Sequence, residues 1–98
     1  MFGNMMERLQ EMQQKTEDAK RRLDNITVTG EAPGKAIEVE MTGNRKLKNV
    51  KLNIDLTTTD KEEVEDLLVI AFNKALENAE NVYESEMKTV AMGMLPPM

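Results

Sequence analysis

The segment Ile37-Glu38-Val39-Glu40-Met41 alternates apolar and acidic side chains without a break. That pattern belongs to a strand with one dry and one wet face, because strand side chains point to opposite sides with a period of two. Two neighbouring stretches follow the same rule. Ile26-Thr27-Val28-Thr29 comes before it and Val50-Lys51-Leu52-Asn53-Ile54 after it. Gly30 to Gly34, with Pro33-Gly34 suited to a tight turn, separates the first pair, and Gly43-Asn44 separates the second. Residues 26–56 therefore read as a three-stranded antiparallel meander, with strands at about 26–30, 35–42 and 47–55. The rest of the chain must cover its apolar face.

The flanks read as helices. Met5, Leu9, Met12, Thr16, Ala19, Leu23 and Ile26 recur at alternating spacings of four and three, a narrow heptad seam. It predicts a helix over about 4–25, roughly 33 Å long at 1.5 Å per residue, ended by Asp24-Asn25. Thr57-Thr58-Thr59-Asp60 signals a second helix start, with Asp60 and Glu63 spaced for a capping box. Glu62, Glu63, Glu65 and Asp66 suit the positive end of its dipole. Val64, Leu67, Leu68, Ala71, Phe72, Ala75, Leu76 and Ala79 form a wide apolar stripe, enough for a sheet on one flank and something else on the other. In this reading Phe72 belongs to the core. Beyond Ala79 the stripe thins to Val82, Tyr83, Met87 and Val90, before Gly93 and Pro96-Pro97 stop the helix.

Length then sets the architecture. A helix over about 60–91 is roughly 48 Å long, whereas a strand of six or seven residues spans roughly 20–23 Å. The second half of the helix must overhang the sheet and run antiparallel to the first helix. The predicted fold is α+β, in the order α-β-β-β-α, with two long helices projecting as an arm. Met5, Leu9, Met12 and Thr16 are expected to face Ala79, Val82, Tyr83, Met87 and Val90. Residues 1–98 read as one domain, with a flexible tail over about 92–98 that is mobile in a monomer or docked on a partner subunit.

Several functions are disfavoured. The 98 residues contain no cysteine and no histidine, which argues against disulfides and the usual zinc sites. Ser85 is the only serine and has no base of the usual kind, and no glycine-rich phosphate loop occurs. No enzyme activity, cofactor, metal site or small-molecule substrate is expected. Glu62 and Asp66 lie one turn apart, but acids there serve the helix dipole. No apolar run reaches the roughly 18 residues of a membrane span, so no membrane partner is expected. Aromatic residues make up only 3% of the chain, so its core is modest and self-association is expected.

Charge is unevenly placed. The net charge is −5, yet residues 1–56 carry ten basic and nine acidic side chains, and residues 57–98 carry three and nine. Arg45, Lys46, Lys48 and Lys51 form the densest basic group, on the second turn and the outer face of the third strand. Two uses fit it: contacts to nucleic-acid phosphates, or protection of a sheet edge. Lys20-Arg21-Arg22 forms a second group, with Arg8 and Lys15 on the helical face of Arg22. Here too two uses fit. Glu11, Glu17 and Asp18 each precede a basic residue by four, as in a solvated ion-pair face. Pairs of that strength can also be exchanged for phosphates. Neither group is interleaved with aromatic residues, which disfavours single-strand stacking; if nucleic acid is bound, the expectation is duplex DNA, held mainly through its backbone.

The order of several short motifs resembles a known family. Met1-Phe2-Gly3, the Met/Gln-rich first helix, Val28-Thr29-Gly30-Glu31, Gly34-Lys35 and Arg45-Lys46-Leu47-Lys48-Asn49-Val50 are followed by Glu65-Asp66-Leu67, Ala71-Phe72-Asn73-Lys74-Ala75 and Gly93-Met94-Leu95-Pro96-Pro97. Together they are similar to the YbaB/EbfC family of bacterial nucleoid-associated proteins. The resemblance implies a tweezer-like homodimer with paired sheets at its base, DNA binding with weak sequence preference, and a cytoplasmic, nucleoid location. A second function stays open. Seven of the nine methionines lie within twelve residues of either end, Met1 aside, so the arm ends also suit a holdase-like protein-interaction module.

Overall fold

A computed structural model describes residues 2–93, and only the backbone of Phe2. The order is α1 (Phe2–Asp24), β1 (Thr27–Glu31), β2 (Ile37–Thr42), β3 (Leu47–Leu52) and α2 (Lys61–Gly93). The strands form one antiparallel sheet in the order β1-β2-β3. The molecule measures 69 × 22 × 17 Å, the proportions of a small base with a long arm.

Register fixes the two faces of the sheet. Val28 pairs with Met41, Gly30 with Val39, Val39 with Val50, and Ile37 with Leu52. All of these lie on the face that meets α2. Ile37, Val39 and Met41 are fully buried there. The opposite face carries Thr29, Glu31, Glu38, Glu40, Asn49 and Lys51. β1 runs on to Glu31, so Gly30 belongs to the strand and not to the turn after it. β3 ends at Leu52, and a bulge beside Glu40 and Met41 leaves Lys48 unpaired in the register. The bulge lies before Val50–Leu52, where the expected alternation is kept, and β3 ends short of Ile54.

α2 is held to the sheet by its smallest side chains. Ala71, Ala75 and Ala79 recur every four residues and are fully buried against Ile37, Val39 and Met41. Val64, Leu67 and Leu76 pack around them, half-buried. This stripe places α2 over β1 and β2. β3 is left largely uncovered: Leu47, Val50 and Leu52 point to the apolar face but are 53%, 36% and 43% exposed. Phe72 also departs from its expected place in the core. It turns away from the alanine stripe toward the β3 side and is 37% exposed.

The start of α2 differs from the expected capping box. The Asp60 carbonyl accepts from the Val64 N–H at 3.1 Å, as an N-cap carbonyl should. The side-chain bonds at this end belong to Asp55 instead, whose carboxylate accepts the Thr57 N–H at 2.9 Å and the Thr57 hydroxyl. Those two bonds from Thr57 hold the Asp55 carboxyl below the usual carboxylate range.

α1 and α2 run antiparallel. Arg22 meets Glu86, and Lys15 and Asp18 line the same shallow depression as Thr89, Val90 and Gly93. Thr16 is half-buried, and Ala19 and Leu23 are completely buried. The outer seam behaves differently: Met5, Leu9 and Met12 are 64%, 58% and 44% exposed. Their expected partners are used up nearer the sheet. Of the 33 residues of α2, those up to Ala79 lie on the base, which leaves 14 for the arm. Gly93 thus stands level with Lys15, and about 20 Å of α1 continues past it. The expected tail at about 92–98 falls mostly on residues 94–98, outside the described residues.

Candidate nucleic-acid interface

The two basic groups, more than twenty residues apart in sequence, meet at the C-terminal end of α1. The link is the β2–β3 turn. Thr42 and Lys46 close it, with the Thr42 N–H donating to the Lys46 carbonyl at 2.8 Å. Its third residue, Arg45, has φ 68°, the left-handed conformation that three-residue hairpin loops require there. The Gly43 N–H donates to the Leu23 and Ile26 carbonyls, both at 3.0 Å. A Cβ on Gly43 would stand 2.8 Å from Leu23 Cδ2 and 3.0 Å from the Leu23 carbonyl oxygen, so alanine there would have to displace the buried Leu23 side chain. Asn44 Nδ2 donates to the Lys20 carbonyl at 2.8 Å and to the Asp24 carboxylate. The Asn25 side chain donates to the Arg21 carbonyl at 3.0 Å. The last turn of a helix leaves its carbonyls without intrahelical partners. Here the turn supplies a donor to Leu23 and adds one at Lys20, Asn25 serves Arg21, and Lys20-Arg21-Arg22 and Arg45-Lys46 share one corner as a result.

The corner splits its charges into engaged and available ones. Arg22 Nε donates to Glu86 Oε1 at 2.7 Å, tying α1 to α2. The Arg45 guanidinium lies 4.5 Å from the centre of the Tyr83 ring, one helical turn before Glu86. Arg21 pairs with Asp18. The i,i+4 pairs expected from Glu11, Glu17 and Asp18 do not form. Arg22 reaches an acid on the neighbouring helix, and Asp18 turns to Arg21 three residues on. Lys48 Nζ donates to Thr27 Oγ1 at 2.8 Å. Lys51 stands opposite Glu38 on the outer face of the sheet, and Asn53 Nδ2 donates to that same carboxylate at 2.9 Å. Arg8, Lys15, Lys20 and Lys46 are exposed and form no ion pair among the described residues. Arg8 lies on the overhanging part of α1, away from the corner.

The acids of α2 mostly point elsewhere. Glu62, Glu63, Glu65 and Asp66 sit in its first turns, and Glu77, Glu80 and Glu84 are exposed along its length. Glu86 is the acid that meets the corner. The negative net charge thus resides chiefly on α2, and α1 with the hairpin presents the positive side. Asn44, which joins the two basic groups, was readable in sequence only as a turn residue. Its bond to Lys20 spans 24 positions, and no local pattern signals it.

A second surface lies on the base. Leu47 and Val50 of β3 and Leu68, Val69, Phe72 and Asn73 of α2 line an apolar groove beside the unpaired edge of β3. Val69 is 57% exposed. An exposed edge strand with an apolar flank is a template for further strand or sheet pairing.

A helix, a three-stranded meander and a long return helix define a small α+β protein with a projecting arm and a basic corner at its foot. The sequence matches the YbaB/EbfC DNA-binding family across residues 1–94, and the chain belongs to that family. It is 39% identical over 92 residues to a nucleoid-associated protein of Flavobacterium johnsoniae, an alignment covering 94% of this chain and 86% of the relative. The fold resembles that of the uncharacterized protein HP0035 of Helicobacter pylori, with a TM-score of 0.79 over 98% of both chains at 21% identity. Among the described residues, no helix is long and apolar enough to cross a membrane.

Proposed function

We propose that residues 1–98 act as one domain that binds duplex DNA as a homodimer in the bacterial nucleoid, mainly through backbone phosphates and with weak sequence preference. The observation that carries the reading is the corner where Asn44 brings Lys20-Arg21-Arg22 against Arg45-Lys46. Family membership supplies DNA as the partner. Lys20 and Lys46 are the principal phosphate contacts, with Lys15, Lys48 and Lys51 beside them and Arg8 farther out on the arm. Arg21, Arg22 and Arg45 join by exchanging their present partners. The dimer forms through the β3 edge and the apolar groove beside it, and doubles the basic corner on one symmetric surface.

Titration of unrelated duplexes at several salt concentrations tests this. Backbone binding falls steeply with salt, and each lost phosphate contact lowers the slope of log K against log salt by about 0.9. Lys20→Ala and Lys46→Ala should each flatten the slope by about 1.8 on every duplex, because the homodimer loses two contacts per substitution. No binding at low salt, or a loss confined to one sequence, would contradict the proposal.

A further inference from the structure

The sheet has two free edges, and the chain treats them differently. Along an antiparallel strand every second residue bonds to one neighbour, and the residues between face the other way. The Ala32 N–H donates to the Ile37 carbonyl at 2.9 Å, and the Thr42 N–H to the Lys46 carbonyl at 2.8 Å. By that alternation Ile37, Val39 and Met41 bond toward β1, and Glu38 and Glu40 toward β3. Thr29, opposite Glu40, therefore turns its N–H and C=O outward from β1. Val50 and Leu52, opposite Val39 and Ile37, turn theirs outward from β3. Asn78 of α2 reaches past the edge of β1 and donates to the Thr29 carbonyl at 2.7 Å. Thr29 is the middle residue of that strand. Among the described residues no side chain bonds to the backbone of Val50 or Leu52.

We propose that Asn78 closes the β1 edge, so that a second copy extends the sheet only across β3 and assembly stops at the dimer. The proposal rests on the β3 dimer proposed above. An incoming strand must bond to the outward backbone groups of the edge it joins. At β1 the central acceptor is taken, and the Asn78 amide stands where the donor of that strand would lie. α2 is held in this position by the Gly30 backbone, which lies directly against Ala71 and Ala75. At β3 the outward groups are free of side chains, and the apolar groove lies beside them. With both edges open, β3 contacts and β1 contacts would alternate from copy to copy, and the array would have no built-in end.

Light scattering across a concentration series tests this in two backgrounds. In the native background, Asn78→Ala should gain mass with concentration beyond that of the native protein. In the Val69→Asp background, where the β3 side is blocked, Asn78→Ala should raise the mass about twofold at high concentration. Thr29→Pro added to Asn78→Ala should cancel the gain in both. Proline lacks the outward N–H and is tolerated on a free edge, so it bars a new strand and leaves the bonds to β2 in place. No gain from Asn78→Ala would overturn the proposal. So would a gain that survives Thr29→Pro, which marks aggregation of a loosened fold and not pairing at β1. Val69→Asp alone reports on the other edge: a mass equal to the native one would refute the β3 dimer, while the gain from Asn78→Ala still reads β1.

Discussion

A Cβ built on Gly30 would stand 2.1 Å from the backbone nitrogen of Ala75 and 2.4 Å from the carbonyl oxygen of Ala71. The backbones of β1 and α2 are therefore in direct contact, with no side chain between them. Gly30→Ala must push the helix off the strand and disturb the alanine stripe along its length. Overpacking of this kind costs about 3 kcal/mol or more when backbone must move. Urea denaturation should show that loss. Gly3→Ala is the control, because nothing lies within 4 Å of a Cβ there. It should leave the protein as stable or raise stability by about 0.5–1 kcal/mol, as alanine does in a helix.

The Arg22–Glu86 pair sets a balance between arm stability and DNA binding. Glu86→Gln removes an acid from the basic corner and releases the Arg22 guanidinium. The pair is partly exposed, at 56% and 22% for the two side chains, so its loss costs only about 0.2–1 kcal/mol. DNA affinity at low salt should rise, and the salt slope should steepen by about 1.8, one added phosphate contact from each subunit of the dimer. Affinity unchanged or lower in the variant would mean that Arg22 does not face the duplex.

The groove beside β3 predicts how the dimer is broken. Val69 is more than half exposed in the single chain, so Val69→Asp disturbs little packing inside it. Light scattering should give a dimer for the native chain and a monomer for the variant, with circular dichroism unaltered. A variant that remains dimeric would place the interface elsewhere. The monomer should also bind DNA more weakly, since it presents one basic corner instead of two.

Asp55 predicts an acid-sensitive contribution at the start of α2. A carboxyl whose folded-state value is depressed adds stability above its unfolded value and loses it as pH falls through the folded value. Relative to the native chain, Asp55→Ala should be less stable at neutral pH. The gap should narrow as pH drops below about 4, where an ordinary aspartate becomes protonated. Thermal melts at paired pH values measure it. A gap that persists undiminished in acid would remove the role of the Thr57 bonds to the carboxylate.

The sheet was the most legible part of the chain. Ile37, Val39 and Met41 announce their face because burial and strand period coincide within five residues. The arm was legible by arithmetic, because a long helix cannot end on a short sheet. What escaped depends on partners distant in sequence. Gly30 looks like a turn glycine until Ala71 and Ala75 arrive against it. Phe72 lies on a stripe wide enough for two neighbours, and the alanines decide which flank meets the sheet. The seam through Leu9 and Met12 has the right period, but α2 uses too much of its length on the base to reach them. Lys20 and Lys46 were named from composition, and the turn that joins their groups was found only in three dimensions.

Asn44 fastens the hairpin to the foot of the arm before any ligand arrives. The separation between the two halves of the positive corner is consequently a property of the native state, set at folding. A duplex meets a finished gauge, and the ordering entropy that a loose basic loop would lose on docking has already been spent.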